Sequence, residues 1–175
     1  MQDFWVFGYA SLMWKPGFDF VEKRRARLFG FHRSLCITSY EHRGTRERPG
    51  LVMGLDRGGS CVGVAFQVAG TLHEPVMAYL RARELVTNVY LERTGSIVLE
   101  DGRHTQAVAY VADRAHGQYA GRLSVEEAVE RVCGAVGGMG PNEDYVINTA
   151  DHIRTLGIRD HWLEQVVAEI RKRVR

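Results

Sequence analysis

Cysteine is scarce in this sequence, and the few cysteines form no recognisable pattern. Three residues, Cys36, Cys61 and Cys133, are spread over a chain of 175 residues. An odd number of widely spaced cysteines, without a Cys-x-x-Cys pair, argues against a disulfide framework and against a cysteine-based metal site. We therefore expect core thiols in a reducing compartment.

Metal-binding patterns, a strong net charge and long apolar runs are lacking as well. The seven histidines show no His-Glu-x-x-His or similar spacing, and the net charge is only +2. These absences predict no metal ion and no nucleic-acid partner. The sequence shows neither a leader pattern nor eighteen consecutive apolar residues, which predicts a soluble, cytoplasmic protein that does not cross a membrane. With 45% hydrophobic residues and no repeat or linker, residues 1–175 are expected to form one domain.

The first two-thirds of the chain carries the composition and turn signals of successive strands. The apolar run that starts at Phe4 is predicted to be a buried strand. Further strands are predicted in residues 51–55, 61–68, 88–99 and 105–111, and one or two in residues 26–38. Asp56-Arg57-Gly58-Gly59 and Glu100-Asp101-Gly102 are typical of hairpin turns. Because no helices alternate with these strands, the pattern predicts a mostly antiparallel, barrel-like sheet in an α+β fold.

The last third of the chain is predicted to be helical. Ser124-Val125-Glu126-Glu127 forms a capping box before an apolar stripe, and Gly137-Gly138 is expected to end that helix. Asn142 is expected to cap the next helix, and Asp160 the last one.

A single helix between the strands carries an unusual charge. Pro75 is predicted to open it, and it should run from Val76 to about Val86. At about 100° per residue, Glu84 projects into the apolar arc that contains Val76 and Leu80. A desolvated carboxylate there should have a raised pKa, suited to a general base, or else pair with a nearby arginine. The pattern alone leaves both interpretations open.

The first predicted strand leads into a loop of small and polar residues. The apolar run from Phe4 to Trp14 is interrupted by Gly8, Tyr9 and Ser11. Glycine and alanine allow a ligand to approach the backbone closely, and successive peptide N–H groups in such a turn can bind a carboxylate or an oxyanion. A core strand followed by a plain turn is the alternative.

Four ordered patches of the chain resemble the ChaC family of glutathione-specific γ-glutamylcyclotransferases. Val6-Phe7-Gly8-Tyr9-Ala10-Ser11-Leu12-Met13-Trp14-Lys15 resembles the family's Gly-Tyr-Gly-Ser-Leu signature, with Ala10 in place of a glycine. The others are His42-Arg43-Gly44 with Pro49-Gly50, the segment from Ala78 to Tyr90 that contains Arg83-Glu84, and Gly140-Pro141-Asn142-Glu143-Asp144-Tyr145-Val146, where Asp144 replaces a glutamate. The resemblance implies a small β-barrel decorated by helices.

The resemblance also implies a reaction and a set of site residues. In that reaction the α-amine of a γ-glutamyl group attacks its own side-chain amide, which gives 5-oxoproline and, from glutathione, Cys-Gly. No cofactor is implied, and the partner is a small-molecule substrate. Glu84 matches the family's catalytic glutamate, and the implied substrate-binding residues are Gly8, Tyr9, Ala10, Ser11, Leu12, Met13, Arg43 and Tyr145.

Three questions stay open at the level of sequence. The substrate could be a γ-glutamyl amino acid or amine instead of glutathione. The barrel could also be a non-catalytic module that binds a small ligand, with Glu84 as a buried ion-pair partner. Finally, the sequence does not show which of Arg43, Arg46 and Arg48 faces the substrate, although the resemblance favours Arg43.

Overall fold

The computed structural model describes residues 1–174, in which five strands close into a β-barrel accompanied by four helices. The barrel strands are β1 (Phe4–Gly8), β2 (Glu22–Ser39), β3 (Gly50–Val68), β4 (Tyr90–Leu99) and β5 (His104–Ala112). Their order around the barrel is β1-β3-β2-β4-β5, and β1 closes it by pairing in parallel with β5. The pairs β1–β3, β2–β4 and β4–β5 are antiparallel. The predicted fold class is confirmed.

Strand β1 explains the apolar run near the start of the sequence. It pairs with β3 on one side, from Phe4 opposite Val68 to Gly8 opposite Val64, and with β5 on the other. Trp5, Val6 and Phe7 are all buried. A central strand covered on both faces needs such a continuous apolar sequence, whereas a strand with one wet face would alternate. The strand ends at Gly8, where the predicted loop begins.

The hairpin predicted at Asp56–Gly59 is wrong. Residues Gly50–Val68 form the single strand β3. Gly58 and Gly59 have φ angles of 106° and 68° and lie inside this strand. Glycine can adopt such angles within a long strand, where it permits a local irregularity without reversing the chain. Residues 26–38 likewise belong to the one long strand β2.

Helix α1 (His73–Glu84) packs its apolar face on the barrel. It begins two residues before Pro75 and ends two residues before Val86, so the predicted bounds were displaced. Proline is tolerated there because the first N–H groups of a helix have no intrahelical partner. The predicted core residues of α1 join a buried cluster that consists of Val6, Leu12, Val68, Val76, Met77, Leu80 and Tyr110.

The described chain divides into two compact units. The first comprises Met1–Arg33 and Leu55–Asp113, and it contains β1, α1, β4 and β5. The second comprises Ser34–Gly54 and the chain from Arg114 onwards. It contains the helices α2 (Val125–Val132), α3 (Asn142–Thr155) and α4 (His161–Arg173), and a ribbon of β6 (Val136–Gly137) and β7 (Gly140–Pro141). That residues 1–175 form one domain stays a prediction.

Two helix starts in the second unit were predicted correctly. The Ser124 side chain accepts a hydrogen bond from Glu127 N–H, and the Glu127 side chain accepts one from Ser124 N–H. Asp160 accepts a hydrogen bond from Leu163 N–H at the start of α4. The predicted end of α2 was wrong, because this helix ends at Val132 and Gly137 belongs to the ribbon.

Asn142 does not cap α3, contrary to the prediction. Pro141 is the capping residue, and Asn142 is the first residue of the helix, fully buried. Its side-chain oxygen accepts a hydrogen bond of 2.8 Å from Leu51 N–H, and its amide nitrogen donates one of 2.8 Å to Leu51 C=O. The side chain thus pairs with β3 as a neighbouring strand would, and it satisfies both backbone groups of Leu51.

Among residues 1–174, no helix has the length and hydropathy needed to cross a membrane. No group of three or more histidine, cysteine, aspartate or glutamate side chains in this part of the chain could hold a metal ion. Of the cysteines, Cys36 and Cys61 are buried as expected, whereas Cys133 is partly exposed.

Candidate active site

The loop after β1 forms a single tight turn. Residues Ser11–Met13 form one turn of 3-10 helix, in which Met13 N–H donates a hydrogen bond of 2.9 Å to Ala10 C=O. Lys15 N–H donates one of 2.8 Å to Ser11 C=O. Ala10 has a φ of −143°, outside the left-handed region, so alanine can occupy this position. Tyr9, Leu12 and Met13 are buried, whereas Ser11 is exposed.

Three successive backbone donors in this loop are available for a ligand. Within residues 1–174, no hydrogen-bond acceptor meets the backbone N–H of Ala10, Ser11 or Leu12. Consecutive N–H groups of this kind can stabilise a carboxylate or the oxyanion that develops during acyl transfer. Met13 differs, since its N–H is already bonded within the turn.

Arg83, on the last turn of α1, ties this helix to the loop. Its guanidinium donates to Ser11 Oγ at 2.9 Å and to Lys15 C=O at 2.6 Å. It also donates to the hydroxyl of Tyr79, one turn earlier on the helix, at 3.0 Å. These bonds hold the C-terminal end of α1 against the loop that begins at Gly8.

Glu84 is the last residue of α1, next to this arginine. Its Oε1 lies 3.6 Å from Arg83 Nε, and its side chain is 16% exposed. Burial raises the pKa of the Glu84 carboxyl above that of an ordinary glutamate, and the positive charge of Arg83 partly opposes this shift. The carboxyl can therefore exchange a proton closer to neutral pH than an exposed glutamate can.

The Arg83 charge predicts how activity depends on pH. A base works above its pKa and is lost as the pH falls through it. Replacing Arg83 with glutamine removes the charge that lowers the pKa of Glu84, so the acidic limb of the kcat/KM profile should move to higher pH. Arg81→Gln removes an exposed arginine of the same helix, which is paired with Glu92 of β4, and it should leave that limb in place. An unmoved limb in Arg83→Gln would contradict the assignment.

The three candidate arginines of the second unit have different surroundings. The guanidinium of Arg43 lies 5.4 Å from the centre of the Tyr145 ring and donates to Pro141 C=O at 3.2 Å. Arg46 lies over the ring of Tyr40. Arg48 donates to two carbonyls at the end of α2, those of Glu130 and Cys133. Of the three, Arg43 is therefore the arginine that contacts a predicted site residue.

Tyr145 lies on α3 with its hydroxyl turned toward the backbone of β3. The hydroxyl accepts a hydrogen bond of 2.9 Å from Met53 N–H. Burial raises the pKa of Tyr145 to about 12, with the Met53 bond and the Arg43 charge opposing it. The phenol is thus protonated at neutral pH, and its hydroxyl also has a hydrogen bond with the Thr149 side chain. The structure brings Tyr145 together with Arg43 in the second unit, and Glu84 together with the Gly8–Met13 loop in the first.

Sequence reasoning missed one buried residue at the loop. Arg33 is 9% exposed, and its Nε donates a hydrogen bond of 2.7 Å to Tyr9 C=O. The sequence contained a signal for it. Every second residue of a strand faces the same side, and Arg33 is on the same side of β2 as the core residues Leu35 and Ile37. A charge on the core-facing side of a strand is as unexpected as a glutamate on the apolar face of a helix.

Comparisons with known proteins show the family of this chain. A family model described as ChaC-like protein matches residues 4–173. The glutathione-specific gamma-glutamylcyclotransferase of Escherichia coli (strain K12) is 31% identical over 168 residues, which cover 96% of this chain and 73% of the relative. Glutathione-specific gamma-glutamylcyclotransferase 1 of Mus musculus is 33% identical over 172 residues, which cover 95% and 77%.

A solved structure supports the fold in the same way. The crystal structure of a glutathione-specific gamma-glutamyl cyclotransferase from yeast superposes with a TM-score of 0.85 over 98% of this chain and 97% of that one. At 20% identity this likeness shows the fold alone. The family model and the relatives go further, because they match almost the whole chain. This chain therefore belongs to the ChaC-like family.

Proposed function

We propose that this protein is a γ-glutamylcyclotransferase that converts glutathione into 5-oxoproline and Cys-Gly. The observation that carries the proposal is the pairing of Glu84, whose pKa is raised by burial, with an adjacent loop that has three unbonded backbone N–H groups. The names of the relatives from Escherichia coli and Mus musculus support glutathione as the substrate.

The reaction requires little more than positioning and proton transfer. The α-amine nitrogen of the γ-glutamyl group forms a bond to the carbonyl carbon of its own side chain, and the bond from that carbon to the cysteine nitrogen breaks. Closure of a five-membered ring within one molecule avoids the entropy cost of bringing two reactants together. The nucleophile belongs to the substrate, so no covalent enzyme intermediate is needed.

Glu84 is proposed to transfer protons from the attacking α-amine nitrogen to the departing cysteine nitrogen. As a carboxylate it accepts a proton from the substrate ammonium, which frees the attacking amine. As the resulting acid it donates that proton to the departing cysteine nitrogen. The second proton, which the attacking nitrogen loses when it becomes the lactam N–H, follows by the same route, so Cys-Gly leaves with its ammonium group and the carboxylate is restored at the end of each turnover. A carboxyl with a raised pKa suits both steps, because neither its acid nor its base form is too stable at neutral pH.

The loop is proposed to stabilise the charge that develops on the carbonyl oxygen. In the tetrahedral intermediate this oxygen becomes an anion, and the N–H groups of Ala10, Ser11 and Leu12 can donate to it or to the α-carboxylate of the γ-glutamyl group. Donors that are already in place before the reaction cost no reorganisation when the charge appears.

Roles for Arg43 and Tyr145 are proposed on the family resemblance. A guanidinium can pair with a substrate carboxylate, and a protonated phenol can donate to a peptide carbonyl. Their own geometry supports this, since the Arg43 guanidinium lies against the Tyr145 ring. The cytoplasmic location and the lack of a nucleic-acid partner stay predictions.

The test is to incubate the purified protein with reduced glutathione and to quantify 5-oxoproline and Cys-Gly. Equal amounts of both products are expected, in the absence of any added metal ion or cofactor. Products from γ-glutamyl amino acids or amines, but none from glutathione, would redirect the proposal to those substrates. Binding of glutathione without either product would contradict an enzyme and favour a ligand-binding module.

A further inference from the structure

The carbonyl of Tyr9, at the start of the candidate loop, is held by a buried charge. Arg33 Nε donates to it at 2.7 Å, and Arg33 Nη2 donates to Val62 C=O at 2.7 Å. The two carbonyls belong to the end of β1 and to β3, so one guanidinium connects the loop to the barrel wall. Both bonds are short, as expected when the donor carries a full charge.

Burial of the Arg33 guanidinium costs free energy of folding. Arg33 is 9% exposed, and burial of a charge lowers stability unless strong hydrogen bonds replace its hydration. On the same face of β2, Leu35 and Ile37 are apolar and fully or almost fully buried. An apolar residue would serve packing at position 33 equally well. The hydrogen bonds to the carbonyls of Tyr9 and Val62 give a reason for an arginine at this position.

The peptide geometry links Arg33 to one of the free donors. The peptide bond between Tyr9 and Ala10 is trans, and in a planar trans peptide the C=O and N–H point in opposite directions. Since Arg33 holds the Tyr9 C=O on its own side, the Ala10 N–H points away from the guanidinium. A strong hydrogen bond at the oxygen also polarises the peptide, which makes its N–H a better donor.

A second close contact, between Gly63 and Gly8, restricts the position of the same loop. A Cβ atom added to Gly63 would lie 2.3 Å from Gly8 C=O, a distance that no real side chain permits. The backbone of β3 therefore lies directly against the last residue of β1. Arg33 binds the loop through hydrogen bonds. The absence of a side chain at Gly63 allows the Gly8 carbonyl to lie against β3.

We propose that Arg33 is a positioning residue that orients and polarises the Ala10 N–H toward the oxyanion of the γ-glutamyl group. This rests on the proposed function. Arg33 acts through the Tyr9–Ala10 peptide, without contact to the substrate. It should therefore affect kcat through the oxyanion, and it should leave substrate affinity and the ionisation of Glu84 largely unchanged.

The experiment compares Arg33→Lys with wild type under conditions in which circular dichroism shows both to be folded. Lysine keeps the charge but cannot reach both carbonyls in the fixed geometry of a guanidinium. We expect kcat for glutathione to fall about 10-fold to 100-fold, as for other small losses of alignment at an oxyanion. KM should stay within about threefold, and the acidic limb of the pH profile should not move.

Arg27→Lys is the matched control. Arg27 also lies on β2 and donates to β3, through Nη1 to Ser60 Oγ at 2.9 Å, but it is exposed and does not contact the loop. Its kcat should equal that of wild type. If Arg33→Lys fails to fold, Gly63→Ala decides the matter, since it displaces the same loop from the other side and should also lower kcat with little change in KM.

Either of two results would overturn the proposal. A folded Arg33→Lys variant with wild-type kcat, even at a lower melting temperature, would assign Arg33 a purely structural role, and so would an unchanged kcat in Gly63→Ala. Failure of the proposed function is distinguishable, because in that case wild type itself releases no 5-oxoproline from glutathione.

Discussion

Glu84→Gln should lower kcat for glutathione by about two orders of magnitude or more, while the protein stays folded. Glutamine has nearly the same size and shape as glutamate but cannot exchange a proton, and loss of an acid–base group typically costs 10²-fold to 10⁴-fold. The amide can still occupy the partly buried position at the end of α1, and it avoids burial of a carboxylate. The measurement is the initial rate of 5-oxoproline release at saturating glutathione.

The matched control for this variant is Glu74→Gln. Glu74 lies on the first turn of the same helix, and its side chain is 89% exposed. The substitution removes the same charge from the same element, so kcat should change less than about twofold. A Glu84→Gln variant with near-normal turnover would exclude Glu84 as the proton carrier and would favour a role as an ion-pair partner of Arg83.

Asn142→Ala should give the largest loss of stability among the substitutions considered. It removes both hydrogen bonds to Leu51 and leaves a buried N–H and a buried C=O unsatisfied. Each such group costs about 1 to 3 kcal/mol, so we expect the free energy of unfolding to fall by about 2 to 6 kcal/mol. Urea denaturation followed by circular dichroism measures this directly.

Asn148→Ala provides the comparison for that effect. Asn148 lies on the same helix but is exposed. A surface substitution of this kind usually changes stability by less than about 0.5 kcal/mol. Equal unfolding midpoints for the two variants would mean that the Leu51 groups find other partners, such as water, when the asparagine is removed.

The elements that depend on local patterns were predictable from the sequence. Short segments of about a dozen residues or fewer contain the patterns for three such features. These are the apolar run of β1, the capping box at Ser124 and the charge of Glu84 on the apolar face of α1. Continuous apolar runs, capping motifs and helical spacing are local signals, so they can be read without knowledge of any tertiary contact.

The features that depend on distant partners were not predictable in this way. Gly58-Gly59 has the sequence pattern of a hairpin turn, yet both residues lie inside the single strand β3, which runs from Gly50 to Val68. Asn142 precedes a helix as a capping residue would, yet its side chain bonds to Leu51, 91 residues earlier. Arg33 hydrogen-bonds to the carbonyls of Tyr9 and Val62, which lie 24 and 29 residues away in the sequence.

The parallel pair of β1 and β5 has a consequence for how the protein folds. Trp5 pairs with Ala107 and Val6 with Val108, so the barrel closes between segments about one hundred residues apart. Closing so large a loop is slow, and folds dominated by such contacts fold slowly. During synthesis β1 is the first barrel strand to leave the ribosome, and it cannot pair with β5 until β5 has been made. Until then its apolar side chains can aggregate or bind chaperones.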